Sequence, residues 1–77
     1  MRVQSIARAD DFRGISGTIH EGNFAIGDEV KIFPSNKVAR VGKIIYDFQE
    51  QKSAPEGQAV TLVLEPEVDA TRGDLIA

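Results

Sequence analysis

The sequence predicts an all-β fold, a small closed barrel of about six strands. Three observations carry this. Several segments alternate apolar and polar residues with period 2, as half-buried strands do. Turn residues punctuate them at short intervals. No segment shows the 3.6-residue period of an amphipathic helix.

The elements follow in order. Met1 to Ala7 reads as a first strand. Arg13 to Glu21 is a second, with Ile15, Gly17 and Ile19 on one face. Gly22-Asn23 and Gly27-Asp28 are turn dipeptides that bracket a connection. Asp28 to Phe33 alternates strictly, with Val30 and Ile32 on one face and Glu29 and Lys31 on the other. Pro34-Ser35-Asn36 is a tight reversal. Lys37 to Phe48 is the longest strand. Its parity breaks near Gly42, where a bulge or barrel corner is expected. Gln49 to Gly57 is polar and weakly patterned and reads as the one longer loop. Gln58 to Glu65 alternates again, with Val60, Leu62 and Leu64 inward and Thr61 and Val63 outward. Arg72-Gly73-Asp74 turns the chain into a last strand, Asp74 to Ala77, which closes the barrel.

With 77 residues the chain makes one domain, small enough that its stability should be modest. It contains no cysteine, which excludes disulfides and thiolate zinc sites. Neither a secretory h-region nor a run of about 20 apolar residues is present, so no membrane partner and a cytoplasmic address are expected. The net charge is −3, against the basic face that phosphate neutralisation requires, so nucleic acid is not an expected partner. Lys37, Arg40 and Lys43 form the densest basic grouping and read as the solvated side of a strand.

Residues for chemistry are sparse. His20 is the single histidine and reads as a strand-end residue. Asp10-Asp11 and Asp28-Glu29 are adjacent carboxylates, and neighbours on a strand point to opposite faces, so neither pair makes an acid and base couple. Ser5, Ser16, Ser35 and Ser53 lie outside any nucleophile elbow. Nucleotide-binding patterns are incomplete. Gly42-Lys43 is followed by Ile44 where a phosphate loop needs serine or threonine. Asn36-Lys37-Val38-Ala39 lacks the carboxylate that would read guanine. Asp11-Phe12-Arg13-Gly14 fits D-x-x-G without its partner motifs. Gly14-Ile15-Ser16-Gly17 lacks the helices that flank a nucleic-acid G-x-x-G clamp. No catalytic, cofactor-binding or metal-binding residue is expected in this chain.

The order of the residues resembles the second, β-barrel domain of translation-factor-type GTPases. Arg13-Gly14-x-x-Gly17-Thr18-Ile19, Gly22, Ile26-Gly27-Asp28-Glu29-Val30, Gly57-Gln58-Ala59-Val60 and Arg72-Gly73-Asp74-Leu75-Ile76 carry the likeness. Within that family the chain is most similar to the GTPase subunit of sulfate adenylyltransferase (ATP sulfurylase), through Asp11-Phe12-Arg13-Gly14, Pro34-Ser35-x-Lys37-x-x-Arg40-Val41 and Gly57 to Glu65. Asn36 stands where that branch usually has glycine, and asparagine also accepts a positive φ.

The resemblance implies a domain excised from a larger GTPase chain, spanning residues 1–77 as a single barrel. GTP and Mg would belong to the parent's preceding GTPase domain and not to this fragment. The implied partners are that GTPase domain and the catalytic subunit, which adenylylates sulfate. A translation GTPase barrel contacting aminoacyl-tRNA is the alternative, and a small metal-dependent enzyme with an unrecognised site is a second. Asp11, Phe12 and Arg13 are the interface candidates. They lie at the connection between the first two strands, and an aromatic beside an arginine is a common hot-spot pair.

Overall fold

The computed structural model describes residues 1–9 and 12–77. Among these residues nine strands form: β1 (Arg2–Ala9), β2 (Phe12–Thr18), β3 (Phe24–Ala25), β4 (Glu29–Phe33), β5 (Lys37–Tyr46), β6 (Gln49–Gln51), β7 (Ser53–Ala54), β8 (Ala59–Glu65) and β9 (Leu75–Ile76). Six of them close a ring in the order β4-β9-β1-β2-β8-β5, with β5 returning to β4. Every pairing in the ring is antiparallel. The all-β barrel expected from the sequence is the observed fold. β6 extends β5 as a hairpin, and β3 pairs with β7 in a separate two-stranded sheet.

The period-2 pattern becomes the core directly. Val30, Ile32, Val60, Leu62 and Leu64 are buried in one cluster with Ile15 and Ile19, as the alternation predicts. Val3, Val41, Ile44 and Ile76 join them from the other ring strands. Burying such a side chain stabilises by roughly 1.5–3 kcal/mol, so this cluster is the main favourable term in a small domain. Lys37, Arg40 and Lys43 are exposed, as a solvated strand side should be.

Two glycines open space for the ring. At Gly17 a Cβ would clash with the Arg2 carbonyl oxygen on β1. Gly42 faces the Glu65 side chain, where a Cβ would come within 2.8 Å. The β5–β8 register shifts between Val41 and Lys43, which places the bulge where the parity break predicts one.

Turns also fall as expected. Asn36 takes φ 65° and its amide donates to the Ile32 carbonyl at 2.7 Å. Gly73 takes φ 95° and its amide donates to Val3, delivering β9 to β1.

Four details differ from the sequence expectation. Gln49 to Gly57 is not simply a loop, because it carries β6 and β7. Their pairing depends on β5 and β3, partners that a polar stretch does not advertise. The connection between Gly22 and Gly27 holds β3, whose Phe24 is buried against the core. The long strand stops at Tyr46, because Asp47 and Phe48 adopt φ 53° and 66° and turn the chain back. Two such residues form the mirror-image turn that matches the twist of a hairpin. Val63 points outward by register yet is buried, standing apart from the core cluster.

Candidate functional site

Of the three interface candidates, Asp11 lies outside the described residues and Phe12 is described as the first residue of β2. Arg13 is well defined. Its guanidinium forms an ion pair with Asp69, and its backbone amide donates to the Glu67 carboxylate at 3.2 Å. The structure ties it to the 66–74 segment, far along the chain. The same segment sends Val68 and Ala70 against the core. Arg13 therefore pins the β2 start to a connection that packs the barrel. Its side chain keeps about a quarter of its surface exposed, and Asp69 is mostly exposed.

A second surface surrounds the β5–β6 hairpin. Gln4, Ser16, Ile45, Phe48 and Thr61 line an open groove of about 300 Å³. On its floor Ser16 Oγ and Thr61 Oγ1 share a hydrogen bond of 2.8 Å across β2 and β8. Phe48 stands fully exposed at the hairpin tip. Its sequence signal was masked, because phenylalanine does not announce a left-handed turn position.

Chemistry has little to work with. Among the described residues no three His, Asp or Glu side chains converge as a metal site. His20 is exposed near a strand end, as expected. No buried side-chain polar atom lacks a hydrogen-bond partner among the described residues. Among the described residues the Met1 amine is the group with a shifted titration. Burial, and then the nearby Arg2 charge, hold it below its ordinary value, with Glu21 opposing. It donates to the Ile76 carbonyl at 2.7 Å. Among the described residues no helix is long and apolar enough to cross a membrane.

Comparison with known proteins now adds identity. Sulfate adenylyltransferase subunit 1 of Vibrio atlanticus is 47% identical over 75 residues, covering 96% of this chain. The same subunit from Methylorubrum populi is 49% identical over 78 residues and covers all of it. Among solved structures, the translation elongation factor SelB of Methanococcus maripaludis superposes with a TM-score of 0.87 at 26% identity, over 99% of the chain. This chain has the domain II barrel fold of translation-type GTPases and is similar to a segment of sulfate adenylyltransferase subunit 1. A bacterial selenocysteine-specific elongation factor, EF-Sec, agrees, with a TM-score of 0.87 at 32% identity over 97% of the chain. No family model matches.

The chain spans 16% and 17% of the length of the two curated relatives, and 18% and 13% of the two solved chains. The homology thus concerns one barrel of proteins that are much longer. The family resemblance read from the glycine and Arg-Gly-Asp positions is the relationship the comparisons give.

Proposed function

We propose that the chain serves as the non-catalytic barrel of a sulfate adenylyltransferase GTPase subunit. It docks on the GTPase domain of a longer polypeptide and relays the state of that domain to the catalytic subunit. The observation that carries this reading is sequence identity of 47–49% running through nearly the whole barrel. The reaction served would be adenylylation of sulfate by ATP, giving adenosine 5′-phosphosulfate and pyrophosphate. GTP and Mg would bind in the GTPase domain, because this chain carries neither a complete phosphate loop nor a guanine-reading carboxylate.

Asp11, Phe12 and Arg13 are the relay surface in this reading. The Arg13 ion pair with Asp69 fixes the end of the barrel that bears them. The test uses the longer polypeptide with its catalytic subunit. Arg13→Ala should weaken the GTP hydrolysis that the catalytic subunit stimulates. Asp69 lies mostly in solvent, and a pair with one solvated partner stabilises by about 0–1 kcal/mol, so the melting temperature of the barrel should move little. A large loss of barrel stability with normal hydrolysis would make Arg13 structural and remove it from the relay.

The likeness to SelB and EF-Sec favours a second reading, a translation GTPase barrel that contacts aminoacyl-tRNA. Binding of the longer polypeptide to aminoacyl-tRNA, with no response to the catalytic subunit of sulfate adenylyltransferase, would select it.

A further inference from the structure

The outer face of β2, β8, β5 and β6 carries one continuous cross-strand row. Ser16 is opposite Thr61, Thr61 is opposite Ile45, and Ile45 is opposite Glu50. Directly opposed residues of antiparallel strands share a face, so these four side chains stand side by side. The first three are half-buried and form the floor of the groove of about 300 Å³ beside the hairpin. Asp47 and Phe48 line its end at the hairpin tip.

Three features of this hairpin have no use inside the barrel. Phe48 holds φ 66°, a conformation that strains a bulky residue and suits glycine, yet its side chain is fully exposed and packs against nothing. Strained positions of this kind cluster at ligand clamps. Among the described residues β6 pairs with β5 alone and ends the sheet, so its outer edge offers backbone donors and acceptors. Residues 46–51 hold two carboxylates, Asp47 and Glu50, and no lysine or arginine. Neither carboxylate has an ion-pair partner among the described residues.

We infer that this hairpin face docks an arginine-bearing extended segment of the catalytic subunit. The inference rests on the reading above that the barrel serves such a subunit. The segment adds to the β6 edge as a further strand. Its arginine lays its stem along Ile45 and brings its guanidinium to Asp47 and Glu50, with the Phe48 ring stacked over it. Charge selects this chemistry. The groove lining contains no lysine or arginine, so a phosphate backbone would meet Asp47 with nothing to neutralise it. A guanidinium meets the same carboxylate with the opposite sign. The mixed character of the surface selects the source. Permanent interfaces are strongly apolar, whereas this one joins hydroxyls, carboxylates and a single aromatic, as reversible interfaces do. Of the two partners in the reading above, the catalytic subunit is the separate protein.

The test uses the longer polypeptide and the purified catalytic subunit, with binding followed by calorimetry. Phe48→Gly should weaken binding at least tenfold while the melting temperature holds or rises, a combination that a packing role does not produce. Asp47→Asn together with Glu50→Gln keeps the shape and removes both charges. This double variant should also bind at least tenfold more weakly, with a flatter dependence on salt. A benzoylphenylalanine photocrosslinker in place of Phe48 should attach to a catalytic-subunit peptide that contains arginine. A double variant that binds as tightly as the parent would overturn the inference whatever Phe48→Gly does. So would a crosslink to a segment without arginine. Tighter binding of aminoacyl-tRNA to the double variant, with the catalytic subunit unaffected, would overturn it in favour of a nucleic acid. GTP hydrolysis by the unsubstituted polypeptide separates the two failures. Stimulation by the catalytic subunit, with no loss of binding in the variants, refutes the hairpin site alone. No binding and no stimulation refutes the functional reading and the site with it.

Discussion

Replacing Gly17 with alanine adds one methyl group where two strands run too close for any side chain. Its Cβ would clash with the Arg2 carbonyl oxygen and lie 3.0 Å from Met1 Cγ. Comfortable carbon contacts begin near 3.5 Å, so β1 and β2 must separate by roughly 0.5–1 Å. Escape in the other direction is blocked, because Gly17 also pairs with Val60 on β8. The ring must deform, and overpacking of this kind costs about 1–3 kcal/mol. In a domain of this size each kcal/mol moves the melting temperature by roughly 4–8 °C. A fall on the order of 10 °C is therefore expected in thermal melts monitored by circular dichroism, with the urea m-value unchanged.

Gly22→Ala provides the contrast. Gly22 takes φ 69° with nothing within 4 Å of its would-be Cβ, so its cost is conformational alone. That cost is about 1–2 kcal/mol. The two substitutions should separate by mechanism when combined with relief of the Met1 contact. Met1→Ala should restore part of the loss at Gly17 and none at Gly22. A Gly17→Ala chain melting within about 2 °C of the parent would refute the argument, since the close approach would then be absent in solution.

Leu62 is fully buried, and Leu62→Ala should cost about 2–5 kcal/mol in urea unfolding. An unchanged midpoint would contradict the core assignment. Phe48 sits at φ 66° with its side chain entirely in solvent, so Phe48→Gly should stabilise the chain by about 0.5–1 kcal/mol. A lower melting temperature would show that the ring makes contacts in solution. The Met1 amine, depressed below 8.0 by burial and Arg2, binds fewer protons in the folded state than in the unfolded one. Stability should therefore rise with pH as the medium passes up through the amine's titration range toward 8.0, and hold above it. Melting between pH 6.5 and 9 checks this, and acetylation of the amine should remove the dependence.

Most of the ring was legible in the sequence. Val30 with Ile32, and Val60 with Leu62 and Leu64, alternate cleanly because each strand has one face in the core and one in water. Gly42 marked its bulge because the apolar parity breaks there. Gly17 was placed on the inner face of its strand, but the close approach of β1 that requires it was not visible. β6 and β7 escaped notice for a physical reason. Gln49 to Gln51 is polar and held by its hairpin with β5, while Ser53 and Ala54 pair with β3, which is equally short. Elements of two or three residues are too brief to show a period. Phe48 was hidden because its strain belongs to the turn and not to the residue type. The surface was less legible than the core. Asp69, the partner of Arg13, lies 56 positions away. The groove beside the β5–β6 hairpin draws on four separated segments, and nothing in any one of them signals a shared wall.

The closure of the ring through β9 has a consequence for how the molecule is made. Residues 73–77 pair with β1 on one side and β4 on the other, and they are the last part of the ring to be made. Until they arrive, β1 and β4 each present a row of unsatisfied amides and carbonyls, and an unpaired edge of that kind recruits strands from neighbouring molecules. The nascent barrel is thus an open sheet for almost the whole of its synthesis and becomes self-contained in its final step. Deleting residues 75–77 would remove little mass, yet it would leave a barrel with two adhesive edges.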